Sequence, residues 1–147
     1  MRYFEDLVEG EESSSSPRRI ETDELLEFAR RYDPQYFHAD PEAARKSIFG
    51  GIIASGIFTM AIWRQLDHQI AHDIAWICGV AWDEVQFPTA LRAGDEVRAH
   101  ATCISKRVSR SRPERGVVVY KYVLLNQRNE TVFRCLSTNL VERRGTV

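Results

Sequence analysis

Long apolar runs are missing from this chain. No stretch approaches the roughly 18 consecutive apolar residues of a membrane-spanning helix, so no membrane association is expected. Cysteine is scarce: Cys78, Cys103 and Cys135 lie far apart and form no CxxC pair. That removes a disulfide framework and the common zinc spacings, and leaves reduced core thiols as the expectation. An excess of charge of one sign is also missing. Lys and Arg number 20 against 21 Asp and Glu, which argues against a dedicated nucleic-acid binder. There is no HExxH motif. "LDHQIAHD" places His68 and His72 four apart between Asp67 and Asp73, but no third histidine is near, so a solvated helix end is expected and no metal. The N-terminal "MRYFEDLVEGEE" is acidic and has no signal-peptide core, so a cytoplasmic protein is expected.

What is present suffices for one core. Hydrophobic residues make up 44% of 147 positions, which fits a single domain over residues 1–147. "EGEESSSSPRRIE" (9–21) reads as an entry loop or edge strand. "TDELLEFARRYD" (22–33) has helix marks: Thr22 or Asp23 as cap, acids in the first turn, Arg30 and Arg31 in the last, and an apolar stripe. Pro34 stops it. "DPEAARKS" (40–47) is a short helix with Asp40 as N-cap and Pro41 in the first turn. After the glycine-rich "IFGGIIASG", residues 55–73 form one long helix whose front half, Ile57 to Trp63, is apolar nearly all round and so is expected to be buried.

Then the pattern changes. Residues 74–88, 94–108, 116–127 and 130–144 lean to β-branched and aromatic side chains, with partial alternation in "VRAHATCI" and "TVFRCLSTNLV". "NQRNE" signals a hairpin and "RSRPERG" a longer connection. An apolar helix needs a wrapping, and these strands are the candidate. The expected layout is α+β: a long central helix wrapped by a curved antiparallel sheet.

Two constellations carry possible chemistry. In "YDPQYFHAD", Asp33 precedes His38 by five residues. It is either an Asp-Pro turn with a histidine beside it or a carboxylate–imidazole pair for proton transfer. In "FGGIIASG", glycines run into a helix start, where free N–H groups and the positive dipole end favour a developing negative charge. Gly56 N–H is the obvious donor; tight packing of the helix start is the alternative.

The stretch "DPQYFHADPEAARKSIFGGIIASGIFT" resembles the signature of the MaoC-like dehydratases, the (R)-specific enoyl-CoA hydratase family. The likeness continues through "VQFPTALRAGDEVRAHATCISKRVSRSRPERGVV" and into "NQRNETVF…LVERR". It implies the hot-dog fold and a homodimer, or a dimer of dimers, in which two sheets join. It implies addition of water to an enoyl thioester, or removal of water from a 3-hydroxyacyl thioester. Asp33 and His38 match the family's water-holding pair, and Gly56 matches the glycine whose N–H binds the thioester oxygen. Gly51, Ser55 and Phe58 are expected against the substrate, with Trp63 a further candidate for the acyl tunnel. Where the hydratase motif has Asn-Pro this chain has Gln35 and Tyr36, and Tyr36 is the place expected to alter substrate choice.

No cofactor is implied beyond coenzyme A as part of the substrate; the acyl carrier is coenzyme A or an acyl carrier protein. Its phosphates want cations, and "SKRVSRSRPERG" offers Lys106, Arg107, Arg110, Arg112 and Arg115. Arg110 and Arg112 are the residues expected there. Two other readings stand beside the hydratase. A hot-dog thioesterase needs a carboxylate on or near the central helix, and "SGIFTMAIWRQ" carries none. A non-catalytic thioester-binding subunit has no need of both Asp33 and His38. Trp63, Trp76 and Trp82 are expected as core or dimer anchors, and His100 at a surface or interface.

Overall fold

The computed structural model describes residues 1–145. After a single 3-10 turn at Phe4–Asp6 come two short edge pieces, β1 (Glu12–Ser14) and β2 (Arg18–Arg19). Helices α1 (Thr22–Tyr32), α2 (Tyr36–Ala39), α3 (Pro41–Arg45) and α4 (Gly56–Ala71) follow. Four long strands close the chain: β3 (Trp76–Gln86), β4 (Glu96–Val108), β5 (Arg115–Leu125) and β6 (Thr131–Glu142). They form an antiparallel sheet in the order β1-β4-β5-β6-β3, with β2 also on β4. The sheet packs on α4, which is the hot-dog fold expected from the sequence.

The core sits between α4 and the concave face of the sheet. Trp63 is fully buried, with ring centroids 5.0 Å from Tyr122 and Phe133 and 5.1 Å from Trp82. Alternation in β4 and β5 puts Val97, Ala99, Ala101, Cys103, Val118, Tyr120, Tyr122 and Leu124 on that face. Among the described residues no helix is long and apolar enough to cross a membrane.

Several expectations change. Helix α1 is capped by Glu21 rather than by Thr22 or Asp23: the Glu21 N–H donates to Glu24 Oε1 at 3.0 Å. Arg18 clamps both oxygens of Glu24 at 2.7 and 2.8 Å, so that carboxylate is already aimed at the helix start. A one-turn helix, α2, follows Pro34. The front half of α4 is not covered all round: Ile57 is 57% exposed and Ala61 is also open, because one chain's sheet wraps one side of the helix only. Cys78 is exposed rather than in the core, since β3 is an edge strand whose residues 77–86 are exposed on both faces. Trp82, on the same strand, is 48% exposed. Cys103 and Cys135 are buried, and burial pushes both thiols up, Cys135 to about 12, so neither is a ready nucleophile. Asp67 belongs to the core, not to a solvated helix end. It is 3% exposed and paired with Arg64 at 2.7 Å. His68 and His72 do lie in solvent.

Candidate active site

Pro34 forces the chain out of α1, and Asp33 becomes its C-cap with φ −151° and ψ 72°. A carboxylate there faces the negative end of the helix dipole, which disfavours it. The cost is offset by donors from elsewhere. Ser55 Oγ donates to Asp33 Oδ2 at 2.7 Å, and Gln35 Nε2 donates to Oδ1 at 3.0 Å. The Ser55 hydroxyl, and after it the Gln35 amide, hold the Asp33 carboxyl below the usual aspartate range. Gln35, which stands where the hydratase motif has Asn, thus supports the acid.

His38 lies in α2 and is 6% exposed. Its Nδ1 is 2.7 Å from the carbonyl oxygen of Ile53. A carbonyl only accepts, so Nδ1 carries the proton and Nε2 of the neutral ring has a bare lone pair. Nε2 faces Asp33 Oδ2 at 3.7 Å. Two acceptors therefore look across a gap too wide for a direct hydrogen bond. The imidazole is steadied by Phe37, whose ring centroid is 4.5 Å away, and Phe37 in turn by Phe49 at 5.3 Å.

Ser55 has two roles. It is the N-cap of α4, accepting from Ile57 N–H at 3.3 Å while donating to Asp33. One side chain thus ties the acid to the helix start. Gly56 is the first helical residue, and among the described residues its N–H donates to no protein acceptor. A side chain there would be crowded: a Cβ would lie 3.0 Å from Phe87 Cζ, so that ring would have to give way. Phe87, 45% exposed, is the aromatic surface next to the free N–H.

The structure brings together Asp33, His38, Ser55 and Gly56. Gly51 lies on the loop leading in, where a Cβ would stand 3.7 Å from Arg92 Nη1. Phe58 is 4% exposed and packs edge-on against Phe28 at 5.5 Å, in the α1–α4 contact. Arg110 and Arg112 are not brought to the site within one chain. The site joins β4 at its start, where Ala54 N–H donates to Leu91 O at 2.8 Å, whereas these arginines follow the strand's far end. Thirteen residues of strand separate the two, a path of roughly 40 Å. Lys106 is occupied elsewhere, donating to Phe4 O and Leu7 O. Tyr36 is 54% exposed beside the dyad, its ring against Phe37. The Ile53 carbonyl, Phe87 and Arg92 were not singled out from sequence.

A Ser55→Ala change tests the electrostatics. It removes the largest cause of the low Asp33 value, so the carboxyl titrates at higher pH than in the wild type, read by carbon NMR of labelled aspartate. The sign follows from losing a donor that favours the charged form. The stabilisation that the depressed carboxyl contributes is fully present above the ordinary aspartate value and is lost as pH falls through the folded one; in the variant that contribution is smaller and its loss is complete at higher pH. Losing the cap costs about 1 kcal/mol in addition.

The chain has relatives among known proteins. The MaoC like domain family model matches residues 4–126. The structure of a MaoC-like dehydratase from Rhodospirillum rubrum superposes with a TM-score of 0.90 at 38% identity, covering 98% of this chain and 99% of that one. The uncharacterized protein YdeM of Bacillus subtilis is 30% identical over 143 residues, 95% of this chain and 99% of its own length. A 3-hydroxyacyl-thioester dehydratase Z of Mycobacterium tuberculosis is 32% identical over 74 residues, 49% of each chain. With the family's fold and an Asp–His–Gly arrangement at the start of its central helix, this chain belongs to the MaoC-like domain family.

Proposed function

We propose that the protein is a hydratase or dehydratase of acyl thioesters, adding water to a 2-enoyl thioester or removing it from a 3-hydroxyacyl thioester. The observation that carries this is the facing pair of acceptors, Asp33 Oδ2 and His38 Nε2, 3.7 Å apart beside the free Gly56 N–H. One water can donate a proton to each acceptor at about 2.8 Å, which leaves its oxygen lone pair directed outward. Asp33, held low by Ser55 and Gln35, stays ionised and orients the water. His38 Nε2 takes the proton as the water oxygen bonds to Cβ. Charge then gathers on the thioester oxygen, where the Gly56 N–H and the α4 dipole meet it. The proton on Nε2 passes to Cα, and the sum is one water across the double bond. Dehydration runs the same steps backwards. The similarity to a 3-hydroxyacyl-thioester dehydratase supports the reaction class.

The thioesterase reading is disfavoured because the front half of α4 carries no acid of its own. Asp67 is the buried acid of α4, but it lies eleven residues after Gly56, roughly 16 Å along the helix, and is locked to Arg64. We propose a homodimer as the working unit. β3 leaves one edge unpaired and both faces open. Such an edge is an aggregation hazard unless covered, and a second copy across a two-fold axis covers it while also meeting exposed Ile57 and Ala61.

The test is an assay of purified protein with a panel of enoyl-CoA esters. The expected result is loss of the conjugated enoyl absorbance without release of free thiol, by a species that sediments as a dimer or larger. Thiol release without hydration would sink the proposal.

A further inference from the structure

The sequence offered Arg110 and Arg112 for the carrier's phosphates, and within one chain they follow the end of β4 far from the site. Another arginine stands before the near end. Arg92 follows Leu91, whose carbonyl accepts from Ala54 N–H at 2.8 Å, one residue before Ser55. The turn that carries it is clamped on several sides. Arg92 N–H donates to Asp95 Oδ2 at 2.9 Å, and Gln127 Nε2 donates to Asp95 Oδ1 at 2.9 Å. Ile20 N–H donates to Asp95 O at 2.8 Å, and Gly94 N–H to Ile20 O at 2.8 Å. The side chain thus projects from a backbone fixed relative to the site.

Its guanidinium is partly buried and makes one bond, from Nη2 to Phe49 O at 2.8 Å. Among the described residues no carboxylate pairs with it. Four of its five N–H groups are left for other partners. A half-buried cation without an anion is costly unless a ligand supplies one. Next to it stands Gly51, where a Cβ would lie 3.7 Å from Arg92 Nη1. A side chain at that position would cover the nitrogen; glycine leaves it open. Phe49, which orients the guanidinium, also packs on Phe37, the ring that steadies His38. The cation is thus linked to His38 through two edge-on ring contacts, Phe49 on Phe37 and Phe37 on the imidazole, and stands set back from the dyad.

We propose that Arg92, with Gly51 beside it, binds the phosphate that ends the phosphopantetheine arm of the thioester substrate, an inference that rests on the thioester reading above. A guanidinium fork matches a phosphate with paired charge-assisted hydrogen bonds. That phosphate is common to coenzyme A and to an acyl carrier protein, so the site does not depend on which carrier is used.

The test separates phosphate recognition from propping of the loop. Binding of 4′-phosphopantetheine, coenzyme A and phosphate-free pantetheine is measured by calorimetry on wild type, Arg92→Gln and Arg92→Lys. The expected result is a loss of about ten-fold for the two phosphate-bearing ligands in Arg92→Gln, partial recovery in Arg92→Lys, and no change for pantetheine. In turnover, KM for crotonyl-CoA rises while kcat holds, and KM for the N-acetylcysteamine thioester stays put. A parallel rise with crotonyl-carrier protein, or a rise confined to one carrier, identifies the source of the phosphate. Equal losses with phosphate-free ligands would mean that Arg92 only braces Phe49, and unchanged binding throughout would also overturn the proposal. The binding arm needs no catalysis. If wild-type protein binds phosphopantetheine through Arg92 yet hydrates nothing, the hydratase reading falls and this one stands.

Discussion

Asp33→Asn is expected to lower kcat for enoyl-thioester hydration by about 10² to 10⁴-fold, the range lost with a proton-transfer partner. The substitution keeps shape and removes charge. In the wild type Oδ2 accepts from Ser55 and faces a second acceptor, His38 Nε2. An amide in that place must present either its oxygen or its NH2 group to the water. With NH2 forward, the water meets a donor where it needs an acceptor, and its lone pair is turned towards the protein. With oxygen forward, the water is held, but no anion stands beside the imidazolium that forms when Nε2 takes the proton. Both arrangements raise the barrier. His38→Gln should lose a similar amount for a different reason, because nothing remains to carry the proton from water to Cα. The two losses are not additive, since the residues act on one water. Thermal unfolding of Asp33→Asn should stay close to wild type, which separates a chemical from a structural cause. Wild-type turnover in both single variants would remove the assignment.

The parts of this site legible in the sequence are those with a local grammar. Pro34 after a run of helix stops it, so Asp33 is placed at the helix end, and five residues across the turn are enough to let His38 come round near it. Ser55 before Gly56 reads as a helix start because serine caps and glycine permits close approach. The four long strands announce themselves by β-branched content, and one apolar helix without another cover requires them to curve over it.

What was illegible depends on partners that have no letter of their own or stand far away in the chain. The acceptor that sets the His38 tautomer is the main-chain oxygen of Ile53, which any residue would supply. Arg92 meets Phe49 across 43 positions. Whether a basic hairpin lies near a site depends on which end of a strand it follows, and composition alone does not say; within one chain Arg110 and Arg112 follow the end of β4 far from the site. Asp67 is different, because its signal was there. It follows Thr59 and Trp63 at helical spacing along the buried stripe of α4, and Arg64 three positions before it is a ready counter-ion. Exposure of Cys78 and Trp82 could not be read from pattern, because β-branched and aromatic content marks a strand without telling whether its outer edge has a cover.

Replacing Gly56 by proline should delete the anion-binding N–H while leaving α4 intact, and the expected loss in kcat is about 10² to 10³-fold, equivalent to about 2.7–4 kcal/mol. The backbone permits the change. Gly56 is the first residue of the helix, where proline's missing N–H removes no helical bond and its fixed φ suits the turn. The preceding Ser55 has φ −57° and ψ 140°, within the region that a residue before proline prefers. The obstacle is Phe87, whose ring lies 3.0 Å from where a Cβ would be. The comparison is therefore made in a Phe87→Ala background, between Gly56→Ala, which keeps the N–H, and Gly56→Pro, which does not. Both carry the added Cβ, so packing cancels and the donor is the main difference; the proline ring also fills some of the space that the oxyanion would enter, which acts in the same direction. The signature to look for is in kcat more than in KM. The ground-state carbonyl gains little from the N–H, whereas the enolate-like state, with its charge on that oxygen, gains most. Equal turnover in the two variants would show that the thioester oxygen is met by some other group, and would move the search for the donor away from the start of α4.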